Sequence, residues 1–232
     1  MKLSIIIPSY NESGTIKKLL DLIEDVKNIN KQIIIIDDNS DDGSSEIIKN
    51  YNFKSEFTYL KHEKNKGKGA CIQSAKNLVT GDIVIIQDAD LEYNPKEYEK
   101  LIQPIINKST KVVYGSRVLN KKRYSTNNFY SLSRVFFNHI LTIISNMINK
   151  QNLTDAHTCY KIFTIDTFEK LDLKEDGFSF CPEVTTKLSK LGIDILELPI
   201  EYFGRTYKEG KKIKMIDGVK ALITLIKYRF YE

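Results

Sequence analysis

The sequence predicts an α/β fold, a doubly wound and mainly parallel sheet flanked by helices, with amphipathic helices toward the C-terminus. Three observations carry that prediction. Short β-branched apolar runs recur at Leu3 to Ile7, Ile33 to Ile36 and Val84 to Ile86 without polar alternation, the pattern of strands buried on both faces. Between the runs lie segments whose apolar residues fall at helical spacing, so strands and helices alternate, and right-handed crossovers follow. The second and fourth strands end in acidic turns, Asp37 to Gly43 and Asp88 to Glu92, and open sheets of this class bind ligands just beyond the carboxyl ends of their strands.

Leu3 to Ile7 is the first strand, closed by Pro8, and Ser13 to Val26 the first helix, with Ile16, Leu19, Leu20 and Ile23 on one face behind a Ser13 cap. Ile33 to Ile36 forms the second strand and Ser44 to Lys49 a short helix after its acidic turn. Phe57 to Leu60 makes a third strand and Gly69 to Leu78 a third helix. Val84 to Gln87 is the fourth strand, Glu97 to Ile106 the next helix and Lys111 to Tyr114 a fifth strand. Both acidic turns then open on one edge of the sheet.

Farther on, Phe129 to Ile148 sets Val135, Phe136, Phe137, Ile140, Leu141, Ile144, Met147 and Ile148 on a broad helical stripe. Arg134, Asn138 and His139 interrupt it and make it a poor transmembrane span. An amphipathic helix that lies on a membrane or covers the core is expected, with core packing preferred. Pro182 suits a first helical turn, and Glu183 is either an acid favourable to that helix N-terminus, the preferred reading, or a catalytic base. Ile193 to Ile200 reads as a further strand. Ile213 to Tyr228 reads as a last helix with Ile216, Val219, Leu222, Ile223 and Ile226 on one side.

At 232 residues, 41% hydrophobic and 28% charged, the chain suits one domain with a sizeable core and shows no signature of disorder. The net charge of +5 gathers toward the C-terminus, where Arg205, Lys208, Lys211, Lys212, Lys214, Lys220, Lys227 and Arg229 outnumber nearby acids. That asymmetry fits a phosphate-rich partner, a nucleotide or a membrane surface, although a solvated helix face accounts equally well for the last three. Charge alone does not separate these partners from nucleic acid; the motifs point away from it, and no nucleic-acid partner is expected. Cys71, Cys159 and Cys181 form no C-x-x-C and follow no signal peptide, so they read as reduced thiols of an intracellular protein. His62, His139 and His157 have no metal-ligand spacing.

Asp88 and Asp90 stand where the fourth strand gives way to a turn. Two hard oxygen ligands at i and i+2 can share Mg²⁺ or Mn²⁺ with substrate phosphates; alone, the pair reads more readily as a cap for the helix from Pro95 to Ile106, and what precedes it decides. No G-x-G-x-x-G follows the first strand and no Walker pattern occurs, which argues against dinucleotide and P-loop chemistry. Gly67-Lys68-Gly69 either permits close backbone packing at a helix start or contacts phosphate directly.

Four motifs occur in order: Ile5-Ile6-Ile7-Pro8-Ser9-Tyr10-Asn11-Glu12, the run from Ile33 to Gly43, Asn65-Lys66-Gly67-Lys68-Gly69, and Gln87-Asp88-Ala89-Asp90. Together they closely resemble the family 2 glycosyltransferases of GT-A fold, and within them the dolichyl-phosphate or polyprenyl-phosphate sugar synthases that transfer mannose or glucose. The resemblance is strong from Met1 to Arg117 and looser as far as Lys212. It implies that Pro8, Tyr10 and Glu12 hold a nucleoside and that Ile36 and Asp38 meet base and ribose. Gln87, Asp88, Ala89 and Asp90 would carry the metal and the donor pyrophosphate, with Lys68 beside them. Glu92 departs from a glutamine found in some relatives, keeping an oxygen ligand for the metal but adding charge. Arg117 matches a basic residue that faces the phosphates. Arg205 and Lys211 match a basic loop that approaches donor and acceptor phosphates, and Arg134 joins them on the acceptor side.

The function so implied is inverting, metal-dependent transfer from a GDP- or UDP-sugar to a polyprenyl or dolichyl phosphate. Asp90, Arg117, Arg205 and Lys211 would be catalytic, with Glu183 as the candidate base. Residues 1–118 form the nucleotide-sugar half of a single domain and 119–232 the acceptor and membrane-proximal half. The protein would sit peripherally on the cytoplasmic face of a membrane, by direct contact or through an anchoring partner. Two other readings stand beside this one: transfer to a sugar hydroxyl in surface polysaccharide assembly, and a silent nucleotide-sugar-binding subunit, against which the intact acidic and basic positions argue.

Overall fold

The computed structural model describes residues 1–120, 129–205 and 215–232, with 129–134 and 215 described as backbone. A seven-stranded sheet comprises β1 (Lys2–Ser9), β2 (Asn30–Asp37), β3 (Glu56–Lys61), β4 (Ile83–Ile86), β5 (Val112–Ser116), β6 (Lys161–Thr164) and β7 (Leu196–Pro199), in the order β3-β2-β1-β4-β6-β5-β7. The first four strands pair in parallel, as do β5 and β7; β6 runs antiparallel to both β4 and β5. Helices α1 (Ile16–Glu24), α2 (Ser44–Lys49), α3 (Lys68–Ala75), α4 (Tyr98–Ile106), α5 (Phe129–Asn149), α6 (Ile165–Lys170), α7 (Phe180–Lys190) and α8 (Met215–Phe230) complete the architecture. The expected α/β sheet is present.

The apolar runs explain the centre of this sheet. Ile5 to Ile7, Ile33 to Ile36 and Val84 to Ile86 are fully buried, because layers cover both faces of the parallel strands. Ile16, Leu19, Leu20 and Ile23 of α1 are buried in the same core, as their spacing requires. The expected Ser13 cap is not used. Helix α1 begins at Ile16 behind Thr15, whose hydroxyl donates to the Ala89 carbonyl at 2.8 Å, while the Ser13 N–H donates to Asp42 at 2.8 Å.

Strand β6 is an addition to the sequence reading, which places no strand between Leu153 and Phe163. Its first residue, Lys161, is fully buried: the ammonium donates to the Ala156 and Thr158 carbonyls at 3.0 and 2.8 Å and lies 3.9 Å from the centre of the Tyr114 ring. Those partners make burial of the cation tolerable. Burial nevertheless pulls its pKa below the ordinary lysine value.

Helix α5 meets the preference for core packing only in part, since Leu141, Ile144 and Ile148 of the expected stripe are half-buried while Phe136, Phe137, Ile140 and Met147 are exposed. Thr142, Ser145 and Asn149 face inward, and Asn149 donates to Thr186 of α7 at 3.2 Å while Ser189 donates to the Asn149 carbonyl at 2.7 Å. Phe136, Phe137, Ile143 and Met147 point outward, Met147 being 76% exposed. Alongside, α8 buries Ala221, Thr224, Leu225 and Tyr228 and exposes Ile216, Val219, Ile223, Ile226 and Phe230. No helix among the described residues is long and apolar enough to cross a membrane.

Candidate functional site

The strand order reverses at β1: the chain proceeds outward through β2 and β3, then returns to place β4 on the other side of β1. Such a switch point leaves a crevice beyond the carboxyl ends of the two strands that flank it. Here it opens into a cleft of about 450 Å³ lined by Pro8, Ser9, Tyr10 and Glu12 after β1, Asp38 after β2, Asn65, Gly67, Lys68 and Cys71 at α3, and Asp88, Ala89, Asp90 and Glu92 after β4. Gly177, Phe178 and Arg205 close it from the C-terminal half.

Of the residues expected at the site, Pro8, Tyr10, Glu12, Asp38, Lys68, Asp88, Ala89, Asp90, Glu92 and Arg205 line this cleft. Four others are placed elsewhere. Ile36 is wholly buried in β2. Gln87 is also buried, its carbonyl accepting from the Tyr98 and Tyr160 hydroxyls, each at 2.7 Å, so it organises the floor behind the cleft. Arg117 grips Asp155 through Nε and Nη2 at 2.7 and 2.8 Å, with its guanidinium 5.1 Å from the Tyr202 ring centre. Glu183 is fully buried and accepts from the backbone N–H groups of Lys174 and Glu175 at 2.7 and 3.0 Å. Neither Arg117 nor Glu183 lines the cleft. The Arg134 side chain and Lys211 lie outside the described residues.

Ser9, Asn65, Cys71, Gly177 and Phe178 also line the cleft without being expected there as ligand contacts. Asn65 and Gly67 stand inside a motif that pointed to the cleft. Phe178 opens the segment to Thr185 that resembles a family element leading a helix toward the active site, and it brings Gly177 with it. The Gly67-Lys68-Gly69 alternatives resolve on the packing side for both glycines: a Cβ on Gly69 would stand 1.9 Å from the Glu175 carbonyl oxygen, and one on Gly67, whose φ is +100°, 2.5 Å from that of Asp176.

Electrostatics in the cleft are dominated by acids. Five carboxylates line it, on Glu12, Asp38, Asp88, Asp90 and Glu92, against the cations Lys68 and Arg205. Lys68 pairs with Asp88; burial works against that carboxylate, but the ammonium outweighs it and the net direction is down. Asp90 goes the other way. Burial first, then the nearby Asp88 and Glu92 charges, push it up to about 7 despite Arg205 at 2.9 Å. Arg205 also bridges to Glu12 at 3.0 and 3.1 Å, and its N–H donates to Glu92 at 2.7 Å. The second Glu92 oxygen accepts from the Tyr202 hydroxyl at 2.7 Å, so Glu92 braces the Arg205 segment.

Asp38 has a structural task as well. Its carboxylate accepts from the Lys66 and Gly67 N–H groups at 2.9 and 2.7 Å and lies 2.7 Å from His62 Nδ1, while His62 Nε2 lies 2.9 Å from the Ser74 hydroxyl. Asp38, His62 and Cys71 could offer three ligand atoms to a metal within 4.8 Å of one another, but the hydrogen bonds already engage both His62 nitrogens. The Asp88 and Asp90 pair faces the cleft and fits a divalent ion better. Each carboxylate already has a cation beside it, Lys68 at Asp88 and Arg205 at Asp90, so a divalent ion would take over part of that pairing and offset the repulsion from Asp88 and Glu92 that adds to burial in raising Asp90.

Comparison with known proteins gives this geometry a context. The chain is 29% identical to dolichyl-phosphate beta-glucosyltransferase ALG5A of Trichomonas vaginalis over 99% of its own length and 73% of the relative's. It is also 29% identical to UDP-N-acetylglucosamine–dolichyl-phosphate N-acetylglucosaminyltransferase of Methanococcus voltae, over 96% of this chain and 94% of that one. The fold matches glucosyl-3-phosphoglycerate synthase of Mycobacterium tuberculosis, solved with Mn²⁺ and UDP, with a TM-score of 0.72 at 16% identity over 98% of this chain and 80% of that chain. The match to the family Glycosyl transferase family 2 runs from residue 4 to residue 172, taking in the whole acidic edge after β1, β2 and β4, and the chain therefore belongs to that family of glycosyltransferases.

Proposed function

We propose that this glycosyltransferase moves a hexose from a nucleotide sugar to the phosphate of a polyprenyl lipid, with inversion, assisted by Mg²⁺ or Mn²⁺ held by Asp88 and Asp90. The observation that carries the reading is the charge of the cleft, five carboxylates against two cations at the switch point of the sheet. A nucleotide sugar brings a pyrophosphate of like sign. A divalent ion between Asp88, Asp90 and that pyrophosphate would remove the conflict and stabilise the leaving nucleoside diphosphate as the anomeric C–O bond breaks.

The chain's own residues supply the rest. Pro8 and Tyr10 offer an apolar face and an aromatic ring to a nucleoside, and Asp38 holds the Lys66-Gly67 backbone as the rim on which it would rest. Arg205, now spread over Glu12 and Asp90, and Lys68, paired with Asp88, are the cleft cations that would meet a phosphate. The dolichyl-phosphate acceptors named in both relatives support a lipid phosphate here. So do the outward apolar faces of α5 and α8, which suit peripheral contact with a bilayer. A phosphate monoester already carries an anionic oxygen at neutral pH, which agrees with a carboxylate at Glu183 that is buried behind the cleft.

Titration calorimetry with GDP and UDP, with and without Mn²⁺, tests the metal. Affinity should rise at least about tenfold with Mn²⁺, about 1.4 kcal/mol, and Asp90→Asn should remove most of that gain. Equal affinity with and without the ion would sink the reading. Screening GDP- and UDP-sugars for transfer to a polyprenyl phosphate and, in parallel, to soluble glycans separates the acceptors.

A further inference from the structure

We propose that Glu183 is a positioning residue for sugar transfer: it holds residues 174–178 as one wall of the cleft, and through that wall fixes the start of α3 and Lys68 against Asp88. The inference rests on the cleft being the donor site. Glu183 stands in the first turn of α7, fully buried, and its two oxygens accept from the consecutive N–H groups of Lys174 and Glu175 at 2.7 and 3.0 Å. Lys187, one turn on, donates to it at 2.7 Å. Two successive backbone amides aimed at one carboxylate pin the main chain at that point.

The pinned strand of chain leads directly to the cleft, where Gly177 and Phe178 form its wall beside Gly67 and Lys68. Contact between wall and α3 is backbone to backbone. The Asp176 carbonyl accepts from the Ala70 N–H at 3.0 Å, and the missing side chains of Gly67 and Gly69 make room for residues 175 and 176. Lys68 lies between those glycines and pairs with Asp88. From the other side, Glu175 accepts from the Tyr228 hydroxyl and Lys227 of α8, each at 3.1 Å. A wall clamped by α7, α8 and α3 has no slack, so a change at Glu183 is passed to Lys68 and Phe178 and not absorbed.

Glu183→Gln keeps the size of the side chain but turns one acceptor into an N–H donor, so whichever way the amide lies, one of the two backbone amides loses its partner. Calorimetric titration of Mn²⁺ and UDP or GDP, combined with hydrogen exchange, is done on the full chain, Glu183→Gln, Phe178→Ala and the double variant. Glu183→Gln should expose the amides of 174 and 175 to exchange and weaken nucleotide binding about tenfold, about 1.4 kcal/mol, the scale of one buried amide left without its partner. In the Phe178→Ala background the same change should cost less than about threefold, because both act through one wall. Glu183→Asp, with the charge one methylene short, should give a graded loss and serves if the glutamine variant does not fold. Unchanged affinity, or losses that simply multiply, overturns the positioning role. Failure of the unmodified chain to bind any nucleoside diphosphate with Mn²⁺ overturns the donor-site reading instead, and this inference with it.

Discussion

Replacing Arg117 by Met leaves a side chain of similar length but removes the cation from a buried pair. In the native fold, Asp155 receives Nε and Nη2 of Arg117 at 2.7 and 2.8 Å and its backbone N–H at 3.1 Å, with side-chain exposures of 16% and 5%. Burial opposes the Asp155 carboxylate, yet the guanidinium and its hydrogen bonds bring its pKa down from 3.8 to about 2. That depression favours the folded, ionised state by about 2–3 kcal/mol. Because the folded value is depressed, this stability is present above the unfolded pKa near 3.8 and is lost as pH falls toward 2. Breaking such a pair from one side costs about 3–5 kcal/mol, since the abandoned carboxylate stays buried. For a chain of this size that is a fall in melting temperature of about 6–20 °C. Differential scanning calorimetry at pH 7 reads it directly, and the gap to the unmodified protein should narrow as pH approaches 2. A variant that melts like the unmodified protein yet has lost transfer would refute the argument and return Arg117 to the substrate phosphates.

Two further outcomes follow from the surface and the backbone. Changing Phe136, Phe137 and Met147 to Asn should lower co-sedimentation with anionic liposomes while leaving the melting temperature almost unmoved, because these side chains are 50%, 48% and 76% exposed; undiminished binding would show that the α5 face is not the contact. Gly69→Ala places a methyl 1.9 Å from a carbonyl oxygen of the chain at Glu175, so a denaturant midpoint should show a loss of at least about 1–3 kcal/mol, and a neutral result would mean that wall and helix separate freely.

The central sheet and the acidic edge were legible because each is written in consecutive residues. A run such as Ile33 to Ile36 can bury itself only between two layers, and carboxylates placed just after such runs must gather at one sheet edge. What the sequence concealed is pairing at a distance. Gln87 looks like part of the motif that follows it, but side chains alternate along a strand, and it points into the core toward tyrosines 11 and 73 residues away. Arg117 reads as a free cation until the fold brings up Asp155, 38 residues on. Glu183 reads as an acid at a helix start until two amides of the preceding loop are found on it. In each case the residue type was informative and the partner was not in view.

Helix α5 shows the same limit in periodicity itself. An apolar stripe fixes which residues share a face but not which way that face turns, and the choice depends on what the neighbouring elements offer. Here α7 offers Thr186 and Ser189, which match the polar Ser145 and Asn149 side of α5, and a buried polar group must find such a partner or pay a desolvation cost. The polar side therefore turns inward and the phenylalanines outward. Helix α8, packed against α5, buries Ala221, Leu225 and Tyr228 and still exposes Ile216, Val219, Ile223, Ile226 and Phe230, so both adjacent helices carry apolar residues on their outer sides. Half-exposed Phe178 lines the cleft beside Lys68 and Gly67, and Phe203, 62% exposed, stands in the chain two residues before Arg205. An exposed ring in a cleft that also holds Lys68 and Arg205 suits an acceptor with an anionic head and a hydrocarbon tail better than a wholly polar glycan, which is why the lipid phosphate is the acceptor to test first.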